Sequence, residues 1–388
     1  MSWSYRIATL RGIDIKVHAT FAIIGAIAAA NWAGLGLAGM AFGATLVLLL
    51  FACVTLHELG HAFAAQYYGI PVREIVLLPI GGIAFLGRPT RHPWQELVIA
   101  AAGPAVNVAI VAVLVPLLVV MGEPLRLAPA LLHPDAAALS IAEAVRWLVS
   151  ANISLVLFNL IPAFPLDGGR MLRGTLGLFM DWSRATRWAT TTGQGLAIGM
   201  GTWGLVSGQV TLTIIAVLIF MSAGATHAEE RSHSVLAGRY VGDACNRHAL
   251  ALTEQDRLST VMGYLLTSYQ PDFAVLRGGE LLGVVRRAQV LQTLAGHAND
   301  PLVTAIMTRV PTVWADRTLD ETRRLLEESD VPVAAVYGDF GYLGLVSLED
   351  IAEAEAVLAF AEAGIMQPPR AGVNRWFRAA VIRRPLHS

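Results

Sequence analysis

Four stretches of the chain contain no Asp, Glu, Lys or Arg, and they limit the fold more than any other feature. They cover residues 17–57, 97–122, 147–166 and 188–228, with lengths of 41, 26, 20 and 41 residues. A membrane-spanning helix needs about 20 apolar residues. Each long stretch therefore holds two spans, with breaks at 31–34 and 207–208, and each shorter stretch holds one. The sequence predicts six spans.

Charged residues are divided unevenly along the chain. Residues 1–228 carry 21 of the 57, about 9% of that segment, whereas residues 229–388 carry 36, about 22%. A polytopic α-helical membrane domain over 1–228 followed by a soluble half fits this division. The net charge of −1 excludes a globally basic nucleic-acid binder, and two distant cysteines, Cys53 and Cys245, exclude a disulfide framework.

Arginine placement predicts the orientation of the spans, because positive charge stays on the cytoplasmic side. We expect a multi-pass protein of the cell membrane with both termini in the cytoplasm. A competing interpretation takes the first apolar run as a cleaved signal peptide, but its removal would spoil the alternation of charge. The positive residues that flank spans on the predicted inner side are Arg6, Arg11, Lys16, Arg73, Arg88, Arg91, Arg170, Arg173, Arg184 and Arg187.

The second predicted span contains the motif H-E-x-x-H at residues 57–61. Positions i and i+4 share one face of a helix, so His57 and His61 can bind one metal ion, with Glu58 beside them to take a proton from metal-bound water. Ionisable groups within a span are costly and are usually functional. The alternative is that these three residues pair structurally between helices.

Two histidines leave a tetrahedral zinc ion short of a protein ligand. Asp167 is the candidate, because the third and fourth spans run out and back and so return it to the same leaflet as the histidines. This geometry predicts a zinc site inside the membrane near the cytosol. The alternative for Asp167 is a helix cap or a turn carboxylate before Gly168-Gly169.

Three motifs together resemble the site-2 protease family of intramembrane zinc metalloproteases. They are residues 57–61, the run from Asn159 to Gly169 with its Leu166-Asp167-Gly168 core, and Gly103-Pro104-Ala105-Val106-Asn107. The resemblance implies one zinc ion per chain with His57, His61 and Asp167 as ligands and Glu58 as general base. It also implies that Asn159 contacts substrate or the transition state. The alternative for Asn159 is a hydrogen bond to the broken helix backbone before Pro162.

Residues 72–86 alternate around Gly81 and Gly82 and predict an apolar β-hairpin. Such a hairpin cannot face lipid unpaired. In the family, a membrane-embedded hairpin offers an edge strand to the substrate, which must unwind before cleavage. A plug over the active site is the alternative, and Gly81 and Gly82 permit close backbone approach in either case.

Residues 241–298 repeat in 303–359 with an offset of 61, which predicts one α+β unit used twice. The pair, over 239–298 and 301–359, resembles a tandem of cystathionine-β-synthase (CBS) domains, which often bind adenine nucleotides. Ser347 and Asp350 match the family's ribose-binding pattern, whereas the first copy has Arg286 and Gln289. A helix cap at Ser347 and Asp350 is the alternative, and the tandem could also serve to form a homodimer or to dock substrate.

The tail over 365–388 carries five arginines and no acid, interleaved with aromatic residues. Such a tail can bind anionic lipid of the bilayer, and a solvated tail is the alternative. Nucleic-acid binding is not supported.

The sequence thus predicts a zinc endopeptidase that cleaves membrane-spanning proteins in regulated intramembrane proteolysis, tuned by a cytosolic CBS pair. One alternative is a channel or transporter gated by that pair, which needs no zinc triad. An inactive protease-like scaffold is the other, and intact His57, Glu58, His61 and Asp167 argue against it.

Overall fold

The computed structural model describes residues 3–78, 81–86, 90–124, 139–247, 249–267, 270–296 and 300–362. These divide into two compact units, Met1–Ala228 and Glu229–Ser388. The predicted tail over 365–388 lies outside the described residues, as do Pro79 and Ile80 in the predicted hairpin turn.

The first unit combines helices with one sheet, and the chain breaks where the sequence predicts. Helix α1 ends at Asn31, and α6 ends at Val206, shortly before Gly208 with its positive φ of 68°. The elements are β1 (Ser4–Leu10), β2 (Ile13–His18), α1 (Phe21–Asn31), α2 (Gly36–Tyr67), β3 (Val72–Leu78), β4 (Gly81–Leu86), α3 (Pro93–Val120), α4 (Ile141–Asn159), α5 (Asp167–Gly177), α6 (Trp182–Val206) and α7 (Val210–Ala237), whose residues after Ala228 belong to the second unit.

Four described helices are long and apolar enough to cross a membrane: α2, α3, α4 and α7. Helix α1 has only 11 residues, and α6 is not among the four. The total of six spans therefore stays a prediction. Local signals fix the helix starts, since Pro93 begins α3 and the Ser140 hydroxyl accepts a hydrogen bond from the Glu143 amide at the start of α4.

The predicted hairpin is the antiparallel pair β3 and β4, but it belongs to a larger sheet. The order is β1-β2-β3-β4, with β2 and β3 parallel. Strands β1 and β2 were not predicted. They form because Ile13 and Ile15 of β2 pack into an apolar cluster with Leu59 of α2 and Ile75 of β3. The location of the hairpin within a membrane stays a prediction.

The second unit contains the two copies of the repeat. Each copy forms a three-stranded sheet, in the orders β5-β6-β7 and β10-β9-β8. The elements are α8 (Val241–Ala244), β5 (Ala251–Thr253), α9 (Leu258–Thr267), β6 (Asp272–Arg277), β7 (Glu280–Arg286), α10 (Arg287–Gly296), β8 (Thr312–Trp314), α11 (Leu319–Ser329), β9 (Val333–Gly338), β10 (Gly341–Ser347) and α12 (Leu348–Glu362).

The two copies exchange their leading segments. Asn246, before the first sheet, pairs with Leu345 of the second, and Thr308, before the second sheet, pairs with Val284 of the first. A Cβ atom at Gly344 would lie 2.3 Å from the Asn246 carbonyl oxygen, so this approach requires glycine. Each copy therefore completes the other.

Candidate metal centre

Three side chains from two helices converge at one buried point. His57 and His61 lie one turn apart on α2, with their Nε2 atoms 3.1 Å from each other. Asp167 begins α5, and its Oδ2 atom lies 3.1 Å from Nε2 of His61 and 3.3 Å from Nε2 of His57. All three residues are less than 8% exposed.

The two glycines after Asp167 explain how the chain brings it there. The segment between α4 and α5 folds back over the first turn of α5. A Cβ atom at Gly168 would lie 2.3 Å from the Ile161 carbonyl oxygen, and one at Gly169 would lie 2.6 Å from the carbonyl carbon of Ala163. Only glycine permits this approach, and it places Asp167 opposite the histidines.

Helix α3 fixes the protonation of both imidazole rings. His61 Nδ1 lies 2.7 Å from the carbonyl oxygen of Ile99, which can only accept, so Nδ1 carries the hydrogen and Nε2 of a neutral ring has a free lone pair. His57 Nδ1 donates in the same way to Oδ1 of Asn107. Both Nε2 atoms therefore face Asp167 as acceptors.

Three acceptor atoms that face one another without a donor need a cation between them. In a tetrahedral zinc site with metal–ligand bonds of 2.0–2.1 Å, the ligand atoms lie about 3.3 Å apart, close to the 3.1 and 3.3 Å separations seen here. A Cβ atom at position 103 would lie 2.2 Å from Nε2 of His61 and 2.7 Å from Nε2 of His57, so Gly103 leaves this space open. The residues fit a zinc ion.

An ion-pair cluster holds α5 against α3. Glu96 of α3 is 1% exposed and pairs with Arg173, while Nε of Arg170 lies 3.7 Å from the same Glu96 oxygen. Nη1 of Arg170 lies 3.7 Å from Oδ1 of Asp167. The Arg173 guanidinium also stacks 4.9 Å from the ring centre of Phe164. This cluster constrains the helix turn that carries Asp167.

Glu58 and Gly82 are neighbours, whereas Asn159 lies apart from the triad's hydrogen bonds. A Cβ atom at Gly82 in β4 would lie 2.4 Å from Cγ of Glu58 and 3.0 Å from its Oε1, so the strand passes directly over this carboxylate. Gly81 begins the same strand.

Asn159 is the last residue of α4 and is half-buried, and its side chain has no hydrogen bond among the described residues. A role for Asn159 stays a prediction.

In the second unit, Ser347 and Asp350 form the helix cap that the sequence allows. The Ser347 amide donates to Oδ2 of Asp350 at 2.7 Å, and the Asp350 amide donates to the Ser347 hydroxyl at 3.0 Å, at the start of α12. In the first copy, the Arg286 amide donates to Oε1 of Gln289. The pKa of nearby Asp272 is raised to about 6, mainly by burial and also by the negative charges of Asp350 and Glu349, although the positive charge of Arg286 lowers it. This end of the module is therefore acidic.

Sequence reasoning missed two residues that support the metal centre, Asn152 and Glu96. Asn152 of α4 is fully buried, and its Oδ1 accepts from Nδ2 of Asn107 at 2.7 Å. Its signal is an amide side chain in the middle of the charge-free stretch 147–166, because strongly polar residues are costly in a span. Glu96 directly precedes the charge-free stretch 97–122, so the sequence alone does not distinguish it from an ordinary charge that flanks a span.

Comparisons with known proteins agree with both parts of the chain. Residues 45–200 match the model of Peptidase family M50, and residues 303–357 match that of the CBS domain. A zinc metalloprotease of Methanocaldococcus jannaschii is 28% identical over 93% of this chain and 99% of its own. A candidate zinc metalloprotease of Synechocystis is 31% identical, over 58% of this chain and 60% of its own. The solved site-2 protease from Methanocaldococcus jannaschii is 32% identical, with a TM-score of 0.41 over 58% of this chain and 95% of that one.

Proposed function

The chain is a zinc metalloprotease of peptidase family M50 with a CBS domain, and from this premise we propose that it cleaves membrane-spanning proteins. His57, His61 and Asp167 would hold one zinc ion per chain. The observation that carries the proposal is the convergence of three buried acceptor atoms, two of them on α2, a helix long and apolar enough to cross a membrane. The proposed location is a cell membrane, with both termini cytoplasmic.

The chain's residues divide the chemistry between them. A bound zinc ion supplies Lewis-acid catalysis, by acidifying water and polarising the scissile carbonyl. Glu58 follows His57 directly on α2, takes the proton of the attacking water, and delivers it to the leaving amine. Asn159, the last residue of α4, contacts the substrate or the transition state.

Strand β4 receives the substrate in an extended form. It is the last strand in the order β1-β2-β3-β4, so its outer edge has no partner among the described strands. Gly82 of this strand contacts Glu58, so a peptide added along that edge would bring its backbone close to the general base. A helical substrate must unwind to make this pairing, and Gly81 and Gly82 provide the clearance.

The CBS pair regulates cleavage through an adenine nucleotide bound near Ser347 and Asp350. The support is the family match and the position of both residues at the start of α12. The acidic surroundings of Asp272 favour contacts to the ribose hydroxyls over contacts to phosphate. Equal binding of ATP and adenosine to the full chain would agree with this assignment, and binding that requires the triphosphate would contradict it.

Cleavage of a model transmembrane substrate in detergent tests the protease function. Glu58→Gln keeps the volume of the side chain but removes the base, and we expect cleavage to fall by a factor of about 10²–10⁴. Loss of cleavage on chelation, and its return with zinc, is expected for the wild type. Undiminished cleavage by Glu58→Gln would overturn the proposal, and ion flux through liposomes that contain the chain would support the channel alternative.

A further inference from the structure

We propose that Asn152 is a positioning residue that raises the zinc affinity of the metal centre. Among the described residues it forms no hydrogen bond with a proposed ligand itself, but it bonds to Asn107, which in turn bonds to His57. This inference rests on the proposed zinc site and adds a residue to it. Asn152 lies in α4, whereas the histidines lie on α2 and Asn107 lies on α3. A hydrogen-bond chain through three helices therefore ends at one zinc ligand.

The series of hydrogen bonds has a fixed donor-to-acceptor direction because it starts at a backbone carbonyl. The Leu148 oxygen can only accept, so the group of Asn152 that lies 2.8 Å from it is the Nδ2 donor. Oδ1 of Asn152 therefore faces Asn107 and accepts from its Nδ2 at 2.7 Å. This leaves Oδ1 of Asn107 to face Nδ1 of His57.

The direction of these hydrogen bonds decides whether Nε2 of His57 can bind a metal. With Oδ1 of Asn107 opposite it, Nδ1 must carry the hydrogen, and Nε2 is free to bind zinc. If the Asn107 amide turned over, its NH₂ group would face Nδ1, and the hydrogen would move to Nε2 at the metal position. Asn152 prevents this, because its Oδ1 accepts only from the amide nitrogen.

Burial makes this restraint strong. Asn107 and Asn152 are both 0% exposed, and the residues around Asn152 on α4, among them Leu148 and Ala151, belong to an apolar cluster. A buried amide that loses its hydrogen-bond partner destabilises the fold by its full desolvation free energy. The arrangement with all donors and acceptors satisfied is therefore favoured over the turned one.

Zinc affinity of the full chain in detergent, measured by competition with a chelator, tests the proposal. We expect Asn152→Leu to weaken zinc binding about 10-fold and Asn107→Leu to weaken it about 10- to 100-fold, the range for residues that orient a ligand. Because the two act in series, the double variant should bind zinc no more weakly than Asn107→Leu alone.

Ser150→Ala is the matched control. Ser150 lies on the same helix, is buried, and also bonds to the carbonyl four residues earlier, that of Arg146. We expect its zinc affinity to stay within about 2-fold of the wild type. If Asn152→Leu does not fold, as judged by circular dichroism and gel filtration, Asn152→Ser removes the same contact with less steric change and should weaken zinc binding in the same direction.

Two results would overturn the inference. One is an Asn152 variant that binds zinc as tightly as Ser150→Ala. The other is a double variant about 10-fold weaker than Asn107→Leu, which means that the two residues act separately. A failure of the zinc site itself looks different, because His57→Ala would then bind zinc as the wild type does.

Discussion

At the scale of single residues, the candidate metal centre depends on the hydrogen-bond partner behind each histidine. The Ile99 carbonyl holds Nδ1 of His61, and Asn107 holds Nδ1 of His57. Both partners come from α3, so the register of this helix against α2 sets the direction of both lone pairs. The space between them is kept by a residue with no side chain, Gly103.

Gly103→Ala should strongly weaken zinc binding, because the added methyl group would enter the space between the two imidazole rings. The new methyl group would lie 2.2 Å from Nε2 of His61, so the ring must move or the metal position is filled. We expect the zinc affinity, measured by chelator competition, to fall by about 100-fold or more. Gly199→Ala is the control, because Gly199 lies within α6 and its Cβ atom would meet nothing within 4 Å. Wild-type zinc affinity in Gly103→Ala would show that the metal does not lie between the histidines.

The sequence predicts the ligand candidates but not the residues that orient them. Spacing on a helix brings His57 and His61 together, and the alternation of spans brings Asp167 to them. Asn107 stands in a recognised motif, yet nothing in the sequence says that its amide faces His57. Such a contact depends on how α2 and α3 pack against each other, and a local stretch of sequence does not contain that information.

At the scale of elements, α5 is held to α3 by charge and by close backbone approach. Glu96 pairs with Arg173 and lies near Arg170, and a Cβ atom at Gly174 would lie 3.0 Å from the carbonyl oxygen of Pro93. Since α5 begins at Asp167, its position fixes the carboxylate of the third proposed zinc ligand.

Glu96→Gln should loosen this attachment. The substitution leaves two guanidinium groups without their buried carboxylate, at a cost of about 3 kcal/mol in the free energy of unfolding. We expect a lower thermal midpoint and zinc affinity reduced about 10-fold, since Asp167 is less well placed. Glu143→Gln is the control, because it breaks an ion pair with Arg146 at the first turn of α4. An equal loss of zinc affinity in both variants would contradict a specific role for Glu96.

Strands β1 and β2 show where local patterns fail. The sequence predicts the β3–β4 hairpin from its alternation and its glycines, but β2 alternates over only six residues next to a charge-free stretch. It becomes a strand because Ile13 and Ile15 find a partner sheet and α2. That partner lies more than 50 residues away in sequence, and a local window does not contain it.

At the scale of the whole molecule, the second unit is a pair of repeat copies in which neither copy is complete alone. The exchange of segments at Asn246 and Thr308 places part of each copy on the other. The offset of 61 residues predicts the repeat. It does not predict the exchange, because the same pattern would describe two independent copies.

Asp272 should make the stability of this module depend on pH. Its pKa is 3.8 in an unfolded chain and about 6 in the fold, so the folded chain binds more protons between these values. Stability therefore falls as the pH rises from about 4 to about 6 and stays lower above that. Asp272→Asn should remove this fall and gain on the order of 1 kcal/mol at pH 7, after allowance for solvent screening. Urea unfolding of the full chain, followed by circular dichroism from pH 4 to 7, measures it.

Asp300 provides a control of opposite sign. Hydrogen bonds from the amide and hydroxyl of Ser259 lower the pKa of Asp300. Its contribution to stability is present above the unfolded pKa and is lost as the pH falls through the folded one. Asp300→Asn should therefore be less stable than the wild type at pH 7, and the difference should shrink on acidification. Parallel pH profiles for the Asp272 and Asp300 variants would contradict both assignments.

The proposed zinc site is tested by the zinc content per chain of the wild type, Glu58→Gln and Asp167→Ala. We expect close to one zinc ion per chain in the wild type and in Glu58→Gln, because Glu58 is proposed as a base and not as a ligand. We expect a clear loss of zinc in Asp167→Ala, which removes one of the three proposed protein ligands. A wild type that holds no zinc, or an Asp167→Ala variant that holds as much as Glu58→Gln, would contradict the proposed zinc site.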